Sequence, residues 1–505
     1  FFENGVSTAV PVVGGPPDRL VLIAPGEQIE EGNVPNLGKR VGFNPSTRNA
    51  GASFRVDVYA TDNSYNIDTT TSGYVVLRST LAAGTAFDDP YATFVSSVAP
   101  LIAGTTNLWV TLYKGESQFT KLTALSTTNA LSSAESSAIP VTHMGAASKI
   151  QILVSNETAA PGKPPYDAGE TSGGKDSSGG IPAWIAVTWS TVTARFVDDF
   201  WNIVPSESRV LTMRSTDPND TTANGGADPT VFTMVGSSAV PWRFISGTTS
   251  GWKMWGESTI LLVTTSPAVN VAAVATQLQV LLPGETASPG VSPGKTAASP
   301  SAWTAGIATT VVVNAVDAFW NVGSLNASQV SLTATDAYAQ FLEPGVKFLE
   351  NGTTTYLVRL RTRNDGGARF TATRIGGTIL TGSGVADSAF FMVQSSAVAK
   401  LQILAPGEAA DPGSATGKRA CPPDCPRNWT AGVSSAVVVN AVDAYHNVVA
   451  AEQTNVYLLT GDSYDVQPST LQLVAGATVF NFAMVTSSSW TIAAFSTTSY
   501  LASAS

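Results

Sequence analysis

Apolar and polar residues alternate with a period of two along much of this chain. Phe54-Arg55-Val56-Asp57-Val58-Tyr59-Ala60 switches strictly between the two kinds, the pattern of a strand with one face in a core and the other in water. Val311-Val312-Val313-Asn314-Ala315-Val316 reads the same way but is more apolar, which predicts a more buried strand. Short runs of Thr, Val and Ala are separated by clusters of Gly, Pro, Asn and Asp, and Asn364-Asp365-Gly366-Gly367 reads as a hairpin turn. No segment carries a persuasive helical period.

The pattern repeats four times, marked by two anchors. The first is an apolar strand that ends at Glu27, Glu157, Glu285 and Glu408. The second is an alternating strand that ends in Asp-x-x-x-Asn: Asp62 and Asn66, Asp198 and Asn202, Asp317 and Asn321, Asp443 and Asn447. Self-similarity at a period of about 125 residues is the mark of an array. Each period has room for about seven short strands, enough for two antiparallel sheets packed as a sandwich. The expected organisation is an N-terminal strand and linker over 1–17, then domains over 18–146, 147–274, 275–397 and 398–505.

The Asp-x-x-x-Asn strand end, followed by an aliphatic residue and another strand, resembles the bacterial immunoglobulin-like repeats of large surface proteins. Invasin-type repeats carry a similar Asp-x-x-Gly-Asn turn. Here Tyr65, Trp201, Trp320 and His446 stand in place of that Gly. The resemblance covers residues 18–505. It implies an all-β chain of four tandem immunoglobulin-like β-sandwich domains, extracellular and at a cell surface, working as a spacer, an adhesive stalk or a filament wall.

The two ends look complementary. Between repeats one and two, Ser126-Thr127-Thr128-Asn129 leads on to Ala138-Ile139-Pro140-Val141-Thr142; the last repeat reaches Ser496-Thr497-Thr498-Ser499 without that strand. An orphan of the missing type, Ala9-Val10-Pro11-Val12-Val13, stands near the N-terminus. As a donated strand it would point Val6, Thr8, Val10 and Val12 to one face, with Phe1 and Phe2 as apolar plugs, and Pro11 matches Pro140. Trp490, Ile492, Ala494, Tyr500 and Leu501 would line the acceptor. The expected partner is an identical subunit, and a heterologous contact of this kind propagates as a head-to-tail filament. Donor-strand exchange of this sort resembles that of bacterial pili. The rival reading is a segment of a longer stalk or adhesin, with sugar binding as a further option.

Charged residues make up 13% of the 505 and the net charge is −10, which does not suit the phosphate neutralisation that nucleic-acid binding needs. No apolar run reaches the length of a membrane span. Cys421 and Cys425, in a Pro-rich loop, suit a local disulfide, with half a metal site as the alternative. The disulfide would fit an oxidising compartment. Asn-x-Ser/Thr sequons, open to glycosylation or unmodified, occur at Asn156, Asn219, Asn326, Asn351 and Asn428.

Candidate chemistry is sparse. The repeated Asp and Asn suit a turn in which their side chains hold backbone N–H groups; the alternative is calcium, for which each repeat offers few oxygens. Otherwise no cofactor is expected. Lys39, Lys175, Lys295 and Lys418 each follow a Gly and are expected to be solvated. Gly290 to Thr296 imitates a phosphate loop, but Pro293 stands where a donor is needed. His143 and His446 lie in different repeats, and no nucleophile elbow is present. Trp109, Trp184, Trp189, Trp242, Trp252 and Trp255 are core residues or sugar platforms, with the last three the best candidates for exposure. From this the chain is expected to have no catalytic residues and not to be an enzyme.

Overall fold

The computed structural model describes residues 5–79, 89–115, 119–128, 130–167, 172–222, 230–296, 300–324, 328–377, 382, 384–419 and 426–498. Among these the chain is all-β: apart from the short 3-10 turn Val34–Asn36, every regular element is a strand. Phe1, Phe2, Tyr500, Leu501, Cys421, Cys425 and Asn326 lie outside the described residues.

In the first repeat Arg19–Ile23 pairs antiparallel with Ser53–Thr61, which pairs with Thr105–Thr111, and Thr93–Phe94 closes that sheet. A second sheet runs in the order Ala134–Glu135, Thr123–Ser126, Gly73–Arg78 and Val98–Leu101. The alternation seen in the sequence decides which side chains meet: Phe54, Val56, Val58 and Ala60 from one sheet share a core with Val75, Leu77, Leu101 and Ala124 from the other. Each buried Val or Leu contributes about 1.5–3 kcal/mol. The same first-sheet order returns as Lys149–Leu153, Ser190–Val197, Ser237–Arg243 and as Gln277–Leu281, Ala308–Val316, Thr353–Arg359. In the last repeat it is Lys400–Leu404, Ser435–Val442, Ala477–Phe482, opposite Leu471–Gln472, Asn455–Thr460 and Ile492–Ser496.

Four large core clusters fall one to each sequence repeat, and a small fifth joins Val21, Ile23 and Tyr65. The compact units number two, Phe1–Val271 and Ala272–Ser505, each holding two of the large cores. Asn364 does not start a tight hairpin turn. It opens the strand Asn364–Ala368, which pairs with Phe391–Gln394 through a shifted register. The Asn364 Oδ1 accepts from the Gly366 and Gly367 N–H groups, which bulges the strand instead of reversing it.

The lysines expected to be solvated are locked to the first anchor. Each Glu accepts from the backbone N–H three residues before it: Ala24 at 2.8 Å, Val154 at 3.0 Å, Leu282 at 2.9 Å and Ala405 at 2.8 Å. Each also pairs with its lysine, Lys39 to Glu27 at 2.9 Å, Lys175 to Glu157 at 3.2 Å, Lys295 to Glu285 at 2.8 Å and Lys418 to Glu408 at 2.8 Å. The pair in the second repeat is buried, with side-chain exposures of 3% and 0%. Burial lowers the Lys39 and Lys175 pKa values from the usual lysine range, and the partner glutamates oppose that shift. Lys295 is thus occupied by Glu285, and the phosphate-loop look-alike has no free cation.

The tryptophans sort differently from expectation. Trp242 and Trp184 are core residues. Trp252 and Trp255 are half-buried, with indole N–H groups donating to the Ser246 carbonyl and the Glu257 carboxylate. The exposed pair is Trp109 and Trp189, at 46% and 45%, and Trp189 is covered by the Arg243 guanidinium at 4.6 Å. Of the described sequons Asn156, Asn351 and Asn428 are exposed, whereas Asn219 donates to Ser246.

Breaking the buried pair leaves one charge uncompensated. Lys175→Met is expected to destabilise the chain by about 3–5 kcal/mol in denaturant unfolding. The double variant Glu157→Gln/Lys175→Met recovers a large part of that loss.

Candidate functional site: strand-exit turns and the open sheet of the fourth repeat

Each Asp-x-x-x-Asn segment closes on itself. The Asp N–H donates to the Asn carbonyl at 2.9–3.0 Å in all four copies. The Asp Oδ1 then accepts two more N–H groups, those of Ser64 and Asn66, Phe200 and Asn202, Phe319 and Asn321, Tyr445 and Asn447. The geometry forces the residue before Asn into the left-handed region, with φ of 67° at Tyr65, 69° at Trp201, 66° at Trp320 and 65° at His446. That is why glycine suits the position, and a side chain there costs about 1–2 kcal/mol. Packing offsets the strain. A glycine backbone lies flat on each ring, so that a Cβ on Gly38, Gly174, Gly294 or Gly417 would sit 2.7, 2.3, 2.1 or 2.3 Å from it. Those glycines precede the locked lysines. In the last three repeats a buried Gln151, Gln279 or Gln402 holds the glycine carbonyl at 2.7–2.8 Å.

The second oxygen of the carboxylate faces the incoming linker. Asp62 Oδ2 accepts from Gly15 at 2.8 Å, Asp198 from Met144 at 2.7 Å and Asp443 from Ser396 at 3.0 Å. In the second and fourth repeats the Asn side chain ties the turn to the repeat before it. Asn202 Oδ1 accepts from the Gly115 N–H at 2.7 Å, and its Nδ2 donates to the Tyr113 carbonyl at 3.0 Å. Asn447 does the same with Arg363 and Arg361, at 2.7 and 2.8 Å. Phe200 adds edge contacts with Tyr113 and Tyr166, each at 5.0 Å. These bonds join two cores within each compact unit. The four aspartates spend their lone pairs on N–H donors, which leaves little for a hard cation that takes six to eight oxygens. Among the described residues no group of three or more His, Cys, Asp and Glu could hold a metal ion.

A further aspartate that sequence reading missed recurs once per repeat. Asp89 accepts from the Tyr91, Tyr113 and Lys114 N–H groups, Asp217 from Asn219, Ile245 and Ser246, Asp336 from Tyr338, Arg361 and Thr362, and Asp462 from Tyr464, Val485 and Thr486. Asp89 and Asp336 fix the loops that Asn202 and Asn447 grip. The available signal was an Asp followed two residues later by Tyr or Asn, a pattern too short to stand out alone.

The fourth repeat differs from the others at one place. In the first repeat Ile139–Thr142 lies between Arg48–Asn49 and Phe119–Thr120; in the second Val269–Ala272 lies between Trp184–Ile185 and Thr248–Trp252; in the third Phe391–Gln394 lies between Trp303–Thr304 and Asn364–Ala368. These strands bury Ile139 and Val141, Val269 and Val271, Phe391 and Val393. Among the described residues the fourth repeat has no such sheet. Trp303 is buried, with Phe391 at 5.2 Å, whereas its counterpart Trp429 is half-buried at the edge of the fourth core, its ring 5.1 Å from that of Phe482. Trp490 sits beside this region, its indole N–H on the Thr486 carbonyl at 2.9 Å, and Ile492 and Ala494 belong to the strand Ile492–Ser496. At the other end Val6, Val10 and Val12 are 94%, 72% and 91% exposed, and Thr8 is exposed too.

These observations define an all-β chain of small, mostly antiparallel sheets that pack in sandwich fashion. No family model and no curated protein matches it. Among solved structures, it is similar to Escherichia coli alpha-2-macroglobulin activated by porcine elastase, with 11% identity over 97% of this chain and 44% of that one and a TM-score of 0.24. It is also similar to the D0-D1 domain of intimin, with 10% identity, 42% and 92% coverage and a TM-score of 0.15. A third similarity is to Bacteroides uniformis beta-glucuronidase 3, with 12% identity, 40% and 22% coverage and a TM-score of 0.16. The chain thus spans less than half of the alpha-2-macroglobulin and under a quarter of the glucuronidase. Glycosidases recur among these structures, and against that finding the sequence-based expectation that the chain is not an enzyme does not stand. Likenesses at these scores assign no activity, substrate or catalytic residue here. Among the described residues no helix is long and apolar enough to cross a membrane.

Acid is expected to loosen the two outer repeats. Burial pushes the Asp62 carboxyl up, but bonds from the Asn66 side chain and from the Gly15, Asn66 and Ser64 N–H groups outweigh it and hold the pKa at about 2. Asp462 is also held at about 2, by N–H groups of Thr486, Tyr464 and Val485 acting against burial. An unfolded Asp titrates at about 3.9. The stabilisation is therefore complete above about pH 4 and is lost as pH falls toward about 2. Asp62→Asn/Asp462→Asn should be less stable at neutral pH and lose less on acidification, as read by denaturant titrations across that range.

Proposed function

We propose that this chain is the structural subunit of an extracellular, surface-associated filament, built from four tandem immunoglobulin-like sandwiches. Its residues 6–13 act as a donated strand, completing the fourth repeat of another copy. The observation that carries this reading is a matched pair: among the described residues the fourth repeat has no strand at the place that one fills in the other repeats, and residues 6–13 are an exposed apolar segment. The place between Trp429 and the segment leading to Trp490 is filled in every other repeat by a strand with two inward apolar residues one apart. Val10-Pro11-Val12 offers that spacing, with the same central proline as Ile139-Pro140-Val141. An exposed apolar segment able to extend and an exposed sheet edge are each aggregation hazards alone and satisfy one another when paired. The main-chain ladder supplies affinity, and the two valines supply register. Head-to-tail contacts between different surfaces do not close, so the assembly grows as a fibre.

Electron microscopy of the purified chain is expected to show filaments. The variant Val10→Asp/Val12→Asp places carboxylates where apolar burial is needed and should raise the concentration required for assembly by about a hundred-fold or more. A peptide of residues 1–13 should cap growth. If the wild-type chain stays monomeric and does not bind that peptide, strand donation is wrong and the chain is a stretch of stalk.

A further inference from the structure

The internal junctions show what else a head-to-tail contact would contain. Asn202 and Asn447 each grip a carbonyl and an N–H two residues apart in the preceding repeat. Hydrogen bonds on the page align the gripped segment across repeats. Gly51 donates to Leu112 at 2.8 Å, Gly306 to Leu360 at 2.7 Å and Gly432 to Met484 at 2.8 Å. The next two N–H groups are held by Asp89, Asp336 and Asp462 respectively. By this alignment Tyr113 and Gly115, and Arg361 and Arg363, correspond to Val485 and Ser487.

In the fourth repeat no described residue occupies that surface. Among the described residues the Val485 carbonyl and the Ser487 N–H have no hydrogen-bond partner, and both residues are exposed. Gly51 and Gly306 are covered by the rings of Phe200 and Tyr445 from the following repeat, whereas Gly432 has nothing within 4 Å of where its Cβ would stand. At the head of the chain Asn66 holds the matching turn. Its Nδ2 donates to Asp62 at 2.9 Å, its Oδ1 accepts from no group among the described residues, and it is half-buried where Asn202 and Asn447 are fully buried. The Gly15 N–H already occupies Asp62 Oδ2, as Met144 and Ser396 do at the internal junctions. Residues leading out of the donor strand therefore enter the turn at the same point.

We infer that Asn66 is a clamp for a second copy of this chain, its Nδ2 donating to the Val485 carbonyl and its Oδ1 accepting from the Ser487 N–H of that copy's fourth repeat. The inference rests on the strand-donation reading. It adds a contact that the strand itself does not make and that fixes how the following copy is set on the one before. Ser64 stands where Phe200 and Tyr445 stand, so no ring reaches Gly432 in this contact, and the amide carries the specificity.

The test uses the full chain and its Asn66→Ala variant. Each is measured for the lowest concentration that assembles and for binding of a synthetic peptide of residues 5–13, which lacks Asn66. The variant should need about ten-fold more protein to assemble, as expected for two lost hydrogen bonds, with peptide binding unchanged. Thermal unfolding of both checks that the variant is folded. Hydrogen exchange at the Ser487 amide should slow on assembly of the wild type and stay fast in assemblies of the variant. Asn202→Ala, the same deletion at an internal junction, should leave the assembly concentration unchanged. Assembly of Asn66→Ala at the wild-type concentration, with the peptide still bound, would overturn the clamp and leave strand donation standing. Failure of the peptide to bind and of either chain to assemble would remove both.

Discussion

The saturation of one carboxylate at each strand exit organises this chain. An Asp that takes backbone N–H groups on one oxygen and an incoming linker N–H on the other, as at Asp62, Asp198 and Asp443, fixes a turn, a chain entry and a repeat orientation with a single side chain. Such charge-assisted bonds are roughly twice as strong as neutral ones. The turn they close demands a left-handed residue, and the protein fills that place with Tyr, Trp or His in every copy. The strain is tolerable only because a glycine from the neighbouring loop lies on the ring. In the second repeat the Lys149 ammonium adds to this, 4.1 Å from the Trp201 ring.

The glycine is in turn held by the Glu-Lys lock, so the two sequence anchors are one physical device. Glu27, Glu157, Glu285 and Glu408 hold their own strand ends and their lysines, and the lysines fix the glycines that pack on the aromatic residues. A long loop that would otherwise be loose becomes part of the wall of the sandwich. A buried ion pair adds little net stability over an apolar pair of the same shape. Its value here is geometric: an unpaired charge in that position is so unfavourable that the loop has one acceptable placement.

The same economy governs the junctions. Asn202 and Asn447 are buried because they bridge two repeats, and the loops they grip are preset by Asp89 and Asp336. Within each compact unit, two cores are therefore tied by directional bonds as well as by packing.

How much of this was legible in the sequence depended on the range of the interaction. Period-two alternation marked the strands, since burial of every second side chain is a local property. Repetition marked the anchors, and the Asp-x-x-x-Asn turn was readable because its bonds span only four residues. The sequence did not reveal that Lys175 is buried, that Trp242 lies in the core while Trp109 and Trp189 face out, or that Asn364 bulges a strand instead of turning it. Those outcomes turn on partners far along the chain: Lys175 meets Glu157 across a loop, and Asp462, after a strand of one sheet, meets Val485 and Thr486, after a strand of the other. The sequence by itself determined the all-β class and the places where strands end, through short-range sterics and hydrogen bonding. Only the tertiary structure decided which polar groups are satisfied inside and which are left facing outward, because desolvation depends on everything that closes around a group.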